Sequence, residues 1–101
     1  MDIPAVDSLW IDNDARLSMT RYVLVTGKPD SQDKVQCITW YDVPGGTRAP
    51  RPTKNNLRRF QPSSTGHWSH TGFRPAEAGP KLGYPDGYGP DAEPYVGSEV
   101  S

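Results

Sequence analysis

The chain has 101 residues, a formal net charge of −1, 34% hydrophobic residues and one cysteine, Cys37. That length fits a single domain, and a lone thiol excludes an internal disulfide. No apolar run approaches the roughly 20 residues a membrane span needs. The acidic start Met1-Asp2-Ile3-Pro4 lacks the basic and apolar regions of a secretory signal, so a cytoplasmic protein without membrane contact is expected.

Composition divides the chain. Residues 75–101 hold five Pro and five Gly, and Leu82, Val96 and Val100 are their only aliphatic residues larger than Ala. Such a segment buries too little apolar surface to offset about 1–2 kcal/mol of chain entropy per residue. The expectation is a folded module over residues 1–74 and an acidic Gly/Pro/Tyr-rich tail over 75–101. Charge follows the same division. Residues 1–42 carry seven acids and four bases, residues 43–76 carry six bases and no acid, and residues 77–101 carry five acids and one base. A core this small rarely supplies more than about 3–5 kcal/mol, so a partner or a homo-oligomer is an expected source of further stability.

In chain order, Ser8–Ile11 reads as a first strand, with Leu9 and Ile11 on one face and Trp10 on the other. Asp12-Asn13-Asp14 is turn chemistry. Thr20–Thr26, rich in β-branched and aromatic residues, reads as a second strand. Lys34–Asp42 is the strongest strand. Val35, Cys37, Thr39 and Tyr41 share one face, and Gln36, Ile38, Trp40 and Asp42 share the other. Arg48–Pro52 is an edge strand or a loop, because proline cannot donate to a ladder. Asn56–Phe60 is one helical turn or a strand end, and Gly66–Thr71 a last short strand. Apolar residues nowhere recur at helical spacing over three turns. These elements predict an all-β fold, a small SH3-like barrel of about five short strands closed to avoid exposed edges, with an extended Gly/Pro-rich C-terminal tail.

Three stretches carry a resemblance: Leu9-Trp10-Ile11-Asp12-Asn13-Asp14-Ala15-Arg16, then Arg21-Tyr22-Val23-Leu24-Val25, then Arg59-Phe60-Gln61-Pro62-Ser63-Ser64-Thr65-Gly66-His67-Trp68. Over about residues 8–70 the chain resembles small uncharacterised proteins of actinobacteria and their phages. Their pattern runs Trp-x-Asp-x-Asp-x-Arg, an Arg-led strand, then Arg-Phe-x-Pro-Thr-Ser-Thr-Gly. The chain departs at Ser63, where the pattern has Thr, and in its long acidic tail. The resemblance implies a compact β-module of phage or actinobacterial source, and no particular activity.

The residues point to binding more than to chemistry. Asp12-Asn13-Asp14 lacks the glycine and distal glutamate of a calcium loop, and the expected role is ion pairing of Asp12 or Asp14 with Arg16 or Arg21. Cys37, His67 and His70 are too few for a structural zinc, and Cys37 reads as a packed core thiol. No catalytic residue, metal or cofactor is expected. Arg48, Arg51, Lys54, Arg58 and Arg59 lie near Trp40 and Trp68 in the sequence, a combination that suits protein docking or phosphate contact with base stacking. Tyr84, Tyr88 and Tyr95 are the expected contact residues of the tail. The leading expectation is a non-enzymatic module, a phage-encoded accessory protein docking on a host or phage protein in the host cytoplasm. The alternatives are a nucleic-acid-binding barrel using residues 48–59, and a minor structural component of a phage particle with an arm-like tail.

Overall fold

The computed structural model describes residues 2–43, 50–69, 71–85 and 87–88. Five antiparallel strands form one sheet in the order β4-β3-β2-β1-β5. The strands are β1 (Leu9–Asp12), β2 (Arg21–Val25), β3 (Lys34–Tyr41), β4 (Arg51–Asn56) and β5 (Phe73–Pro75). A 3-10 turn, Leu57–Phe60, follows β4 directly, with the Arg58 N–H capped by the Asn56 side chain. No helix among these residues is long and apolar enough to cross a membrane.

The alternation of β3 sorts the core into two layers. Val23, Val25, Val35 and Cys37 lie on one face, covered by Leu57, Phe60 and Phe73, with Trp10 packed against them. Tyr22, Leu24, Ile38 and Trp40 lie on the other, with Leu9, Ile11, Ala76 and Tyr84 packed against them. Parity explains the division, since cross-strand partners share a face: Tyr22 is paired with Trp40, and Val25 with Cys37. An aromatic run closes the first layer. The Trp10 ring meets Phe60 edge-on at 5.1 Å and Trp68 at 5.7 Å. Phe60 meets Phe73 at 5.0 Å, and the Arg59 guanidinium lies 4.1 Å from the Phe73 ring centre.

Two expectations need correction. Among the described residues the sheet is open, not closed into a barrel, with β4 and β5 as its edges. Backbone direction gives the reason. The Thr26 N–H donates to the Gln36 carbonyl, so even-numbered residues of β3 turn their backbone groups toward β2. Odd-numbered ones then meet residues 51, 53 and 55 of β4, which leaves Pro52, Lys54 and Asn56 facing outward. At the other edge, Asn13 N–H donates to the Gly72 carbonyl and Ala76 N–H to the Leu9 carbonyl, which leaves Phe73 and Pro75 facing outward. Each edge therefore carries a proline where a further strand would need a donor. Neither proline costs the sheet an internal bond.

The second correction concerns the last strand, which is Phe73–Pro75 and not Gly66–Thr71. Residues 63–69 form turns. Ser63 N–H donates to the His67 carbonyl, Gly66 N–H to the Ser63 carbonyl, and His67 N–H to the Ser63 hydroxyl. Gly66 has φ +85°. Side chains that satisfy nearby backbone compete with ladder bonds. His67 is consequently exposed on a loop, and His70 lies outside the described residues.

Candidate functional site

Among the described residues, the sheet face bearing Tyr22, Leu24, Ile38 and Trp40 is covered over only part of its area. Residues 76–85 run across the Trp40 end as a strap. Ala76 packs against this layer, Pro85 is buried, and the Tyr84 ring lies 6.0 Å from Trp40, which stacks on Tyr22 at 5.6 Å. Asp42, just after β3, anchors the strap by accepting the Lys81 and Leu82 backbone N–H groups at 2.9 and 3.1 Å. The tail therefore contributes to the core beyond residue 74, through one aromatic ring and one two-pronged carboxylate bond rather than through aliphatic bulk.

Among the described residues the rest of that face is open. A groove of about 490 Å³ is lined by Thr26, Gln36, Cys37, Ile38, Pro52, Thr53, Lys54 and Tyr88, within the 300–1,000 Å³ of typical ligand clefts. Tyr88, 37% exposed, stands where the strap leaves the sheet. The rim is partly charged: Lys54 and Lys34 act on Asp30, whose carboxyl is held below the usual carboxylate range mainly by the N–H groups it accepts from Lys34 and Gln32.

The basic residues do not gather on one surface. Arg51 and Lys54 are both exposed, but their alternate positions on β4 place them on opposite faces, opposite Thr39 and Gln36 respectively. Arg58 is exposed on the 3-10 turn. Arg59 is engaged internally, donating to the Asn55 side chain at 3.0 Å and the Thr71 carbonyl at 3.1 Å. Trp68 is half-buried against Trp10, and Trp40 is buried under Tyr84. Arg48 and Tyr95 lie outside the described residues. The structure brings Trp40, Lys54, Tyr84 and Tyr88 to one face. It does not bring Arg51, Arg59 or Trp68 there. Sequence reasoning missed Gln36, Ile38 and Pro52 as groove residues, although the alternation of β3 had already placed Gln36 and Ile38 beside Trp40.

Asp12-Asn13-Asp14 is a structural knot. Asp12 pairs with Arg21 at 3.0 Å and Asp14 with Arg16 at 2.9 Å, the expected pairing. Asn13 donates to the Trp68 and Ser69 carbonyls and accepts from Arg74. No group of three or more His, Cys, Asp or Glu able to hold a metal occurs among the described residues. The buried Cys37 thiol is pushed up to about 11, chiefly by burial, with Asn55 and Arg59 opposing the shift. A thiol so held is a poor nucleophile.

No family model, curated protein or solved structure matches this chain.

Proposed function

We propose that the chain is a non-enzymatic binding module that docks on a protein partner through the half-open sheet face. The observation that carries this reading is the groove over Ile38, edged by Pro52, Lys54 and Tyr88. It offers an apolar floor, a rotatable aromatic and one cation, the mixture that anchors protein contacts. Its phage-encoded, accessory character is proposed on the resemblance alone. A photo-crosslinking residue placed at Lys54 should capture one discrete partner from host lysate, and the same probe at Arg58, exposed but away from the groove, should not. Equal capture from both positions, or none from Lys54, would rule the groove out.

The nucleic-acid reading draws on the exposed Arg51, Lys54 and Arg58. Their separation onto different faces, and the engagement of Arg59, favour protein docking over it. A salt titration distinguishes the two. A phosphate-binding surface loses affinity steeply with salt, and a Lys54→Ala, Arg58→Ala double variant flattens the slope. The same chain found in purified particles by mass spectrometry would favour the structural-component reading instead.

A further inference from the structure

Trp40 presents an anomaly. Its side chain is 2% exposed, and its indole N–H has no hydrogen-bond partner among the described residues. Buried donors are almost always paired, and an unpaired one bears its full desolvation cost. The other two tryptophans lie partly exposed, and Trp10 donates its indole N–H to the Ser8 hydroxyl. The strap that covers Trp40 thus fills space and supplies an aromatic contact, but among the described residues it brings no acceptor to the Trp40 indole N–H.

The strap also shows what this face accepts. It is an irregular stretch bearing Pro80 and Pro85, with Tyr84 tilted at 49° against Trp40. Below it, Tyr22 and Trp40 stack on each other with ring centres 5.6 Å apart and an interplanar angle of 23°, a paired aromatic platform. Aromatic platforms with a nearby donor suit polyproline segments, whose backbone carbonyls make no internal hydrogen bonds and remain available as acceptors. We infer that the Tyr22–Trp40 platform is a binding site for a proline-rich extended peptide, occupied in this conformation by the chain's own 76–85 strap. The incoming peptide displaces the strap, packs prolines against the stacked pair, and directs a carbonyl to the Trp40 indole N–H. This rests on the half-open face being the docking face, and it adds the ligand class and a second subsite beneath the strap.

The strap competes with any such ligand, so loosening it raises apparent affinity. Asp42→Ala removes both strap hydrogen bonds to that carboxylate and leaves the Tyr22 and Trp40 side chains themselves unchanged. Fluorescence anisotropy with a labelled ten-residue peptide of prolines and two tyrosines should report binding to full-length Asp42→Ala about tenfold tighter than to wild type. A second labelled peptide with the sequence of residues 76–88 should bind the same variant more weakly, because the strap leaves the indole unpaired. Adding Trp40→Phe should erase the preference between the two peptides, and the Trp40 indole resonance should shift on saturation in the Asp42→Ala chain. Tyr84→Ala provides an independent loosened chain if Asp42→Ala folds poorly. Absence of saturable binding to both loosened chains overturns the inference, and so does a preference that survives Trp40→Phe. Lys54→Glu separates this from failure of the groove: with the photo-crosslinking residue moved to Tyr88, which also lines the groove, it should abolish partner crosslinking yet leave binding of the proline peptide within about twofold.

Discussion

Asn13 holds together segments 55 to 61 residues apart in the chain. Its amide uses both ends: the nitrogen donates to the Trp68 carbonyl at 2.9 Å and the Ser69 carbonyl at 3.2 Å, and the oxygen accepts from Arg74 at 3.1 Å. An ionised Asp has no donor, and a Ser hydroxyl has only one where Asn13 uses two. Asn13→Ala should cost about 2 kcal/mol in urea unfolding, and Asn13→Asp should cost a similar amount because it discards the donors. Nearby, Gly72 leaves no room for a side chain: a Cβ there would sit 2.9 Å from the Arg59 carbonyl oxygen. Cys37 gives a prediction in pH. Its folded value near 11 exceeds the ordinary 9.0, so the folded state keeps the proton that the unfolded chain releases. The contribution is complete below pH 9, and it declines as pH rises from 9 toward about 11. Cys37→Ala should remove that alkaline loss from the pH–stability curve. Iodoacetamide at pH 8 should label the native thiol at least a hundredfold more slowly than the denatured one, given a thiolate fraction of roughly a thousandth.

The strands differ in how plainly they could be foreseen. β3 was legible because eight residues alternate cleanly and both faces carry large apolar groups. β2 followed from its β-branched and aromatic content. β5 was illegible for a physical reason: Phe73-Arg74-Pro75 has one apolar side chain, and its pairing with β1 is set by Asn13 and Gly72 rather than by any local pattern. Gly66–Thr71 looked like a strand because of Trp68, but the Ser63 and Ser69 hydroxyls spend themselves on local backbone. Barrel closure failed on the prolines. Restoring a donor at the β4 edge tests this: Pro52→Thr should increase self-association in analytical ultracentrifugation at high concentration, with monomer stability changed by less than about 1 kcal/mol, since position 52 makes no ladder bond. An unchanged sedimentation profile would mean that Lys54 and the strand's shortness already suffice.

Across the whole molecule, stability grades from the centre outward. Val23, Val25 and Val35 are fully buried in the first layer, whereas the strap is held by Tyr84 and two bonds to Asp42. Hydrogen exchange should therefore rank the β2 and β3 amides slowest, near the global unfolding limit, and release the Lys81 and Leu82 amides by local opening orders of magnitude sooner. Strap and β3 amides exchanging at one common rate would contradict a separable strap. This layer of the candidate site was not readable in advance. The composition of residues 75–101 rightly marks a segment unable to fold alone, but the platform it lies on is assembled from β2 and β3, and only the tertiary register puts Asp42 under the Lys81 and Leu82 amides. The groove was half readable, since its floor follows from strand parity and its walls from the neighbouring strand and the strap.

The strand order also fixes a sequence of assembly. β1 through β4 are neighbours in space in the order in which they leave the ribosome, so they can zip together through short connections. β5 is the exception: it adds to β1, the earliest strand, after some sixty intervening residues. Until Phe73 is synthesised and clears the exit tunnel, β1 has one unpaired edge and the Trp10–Phe60 layer lacks a wall. Nascent chains of this protein thus pass through a four-stranded interval with an adhesive flank, and the arrival of three residues near the C-terminal third ends it.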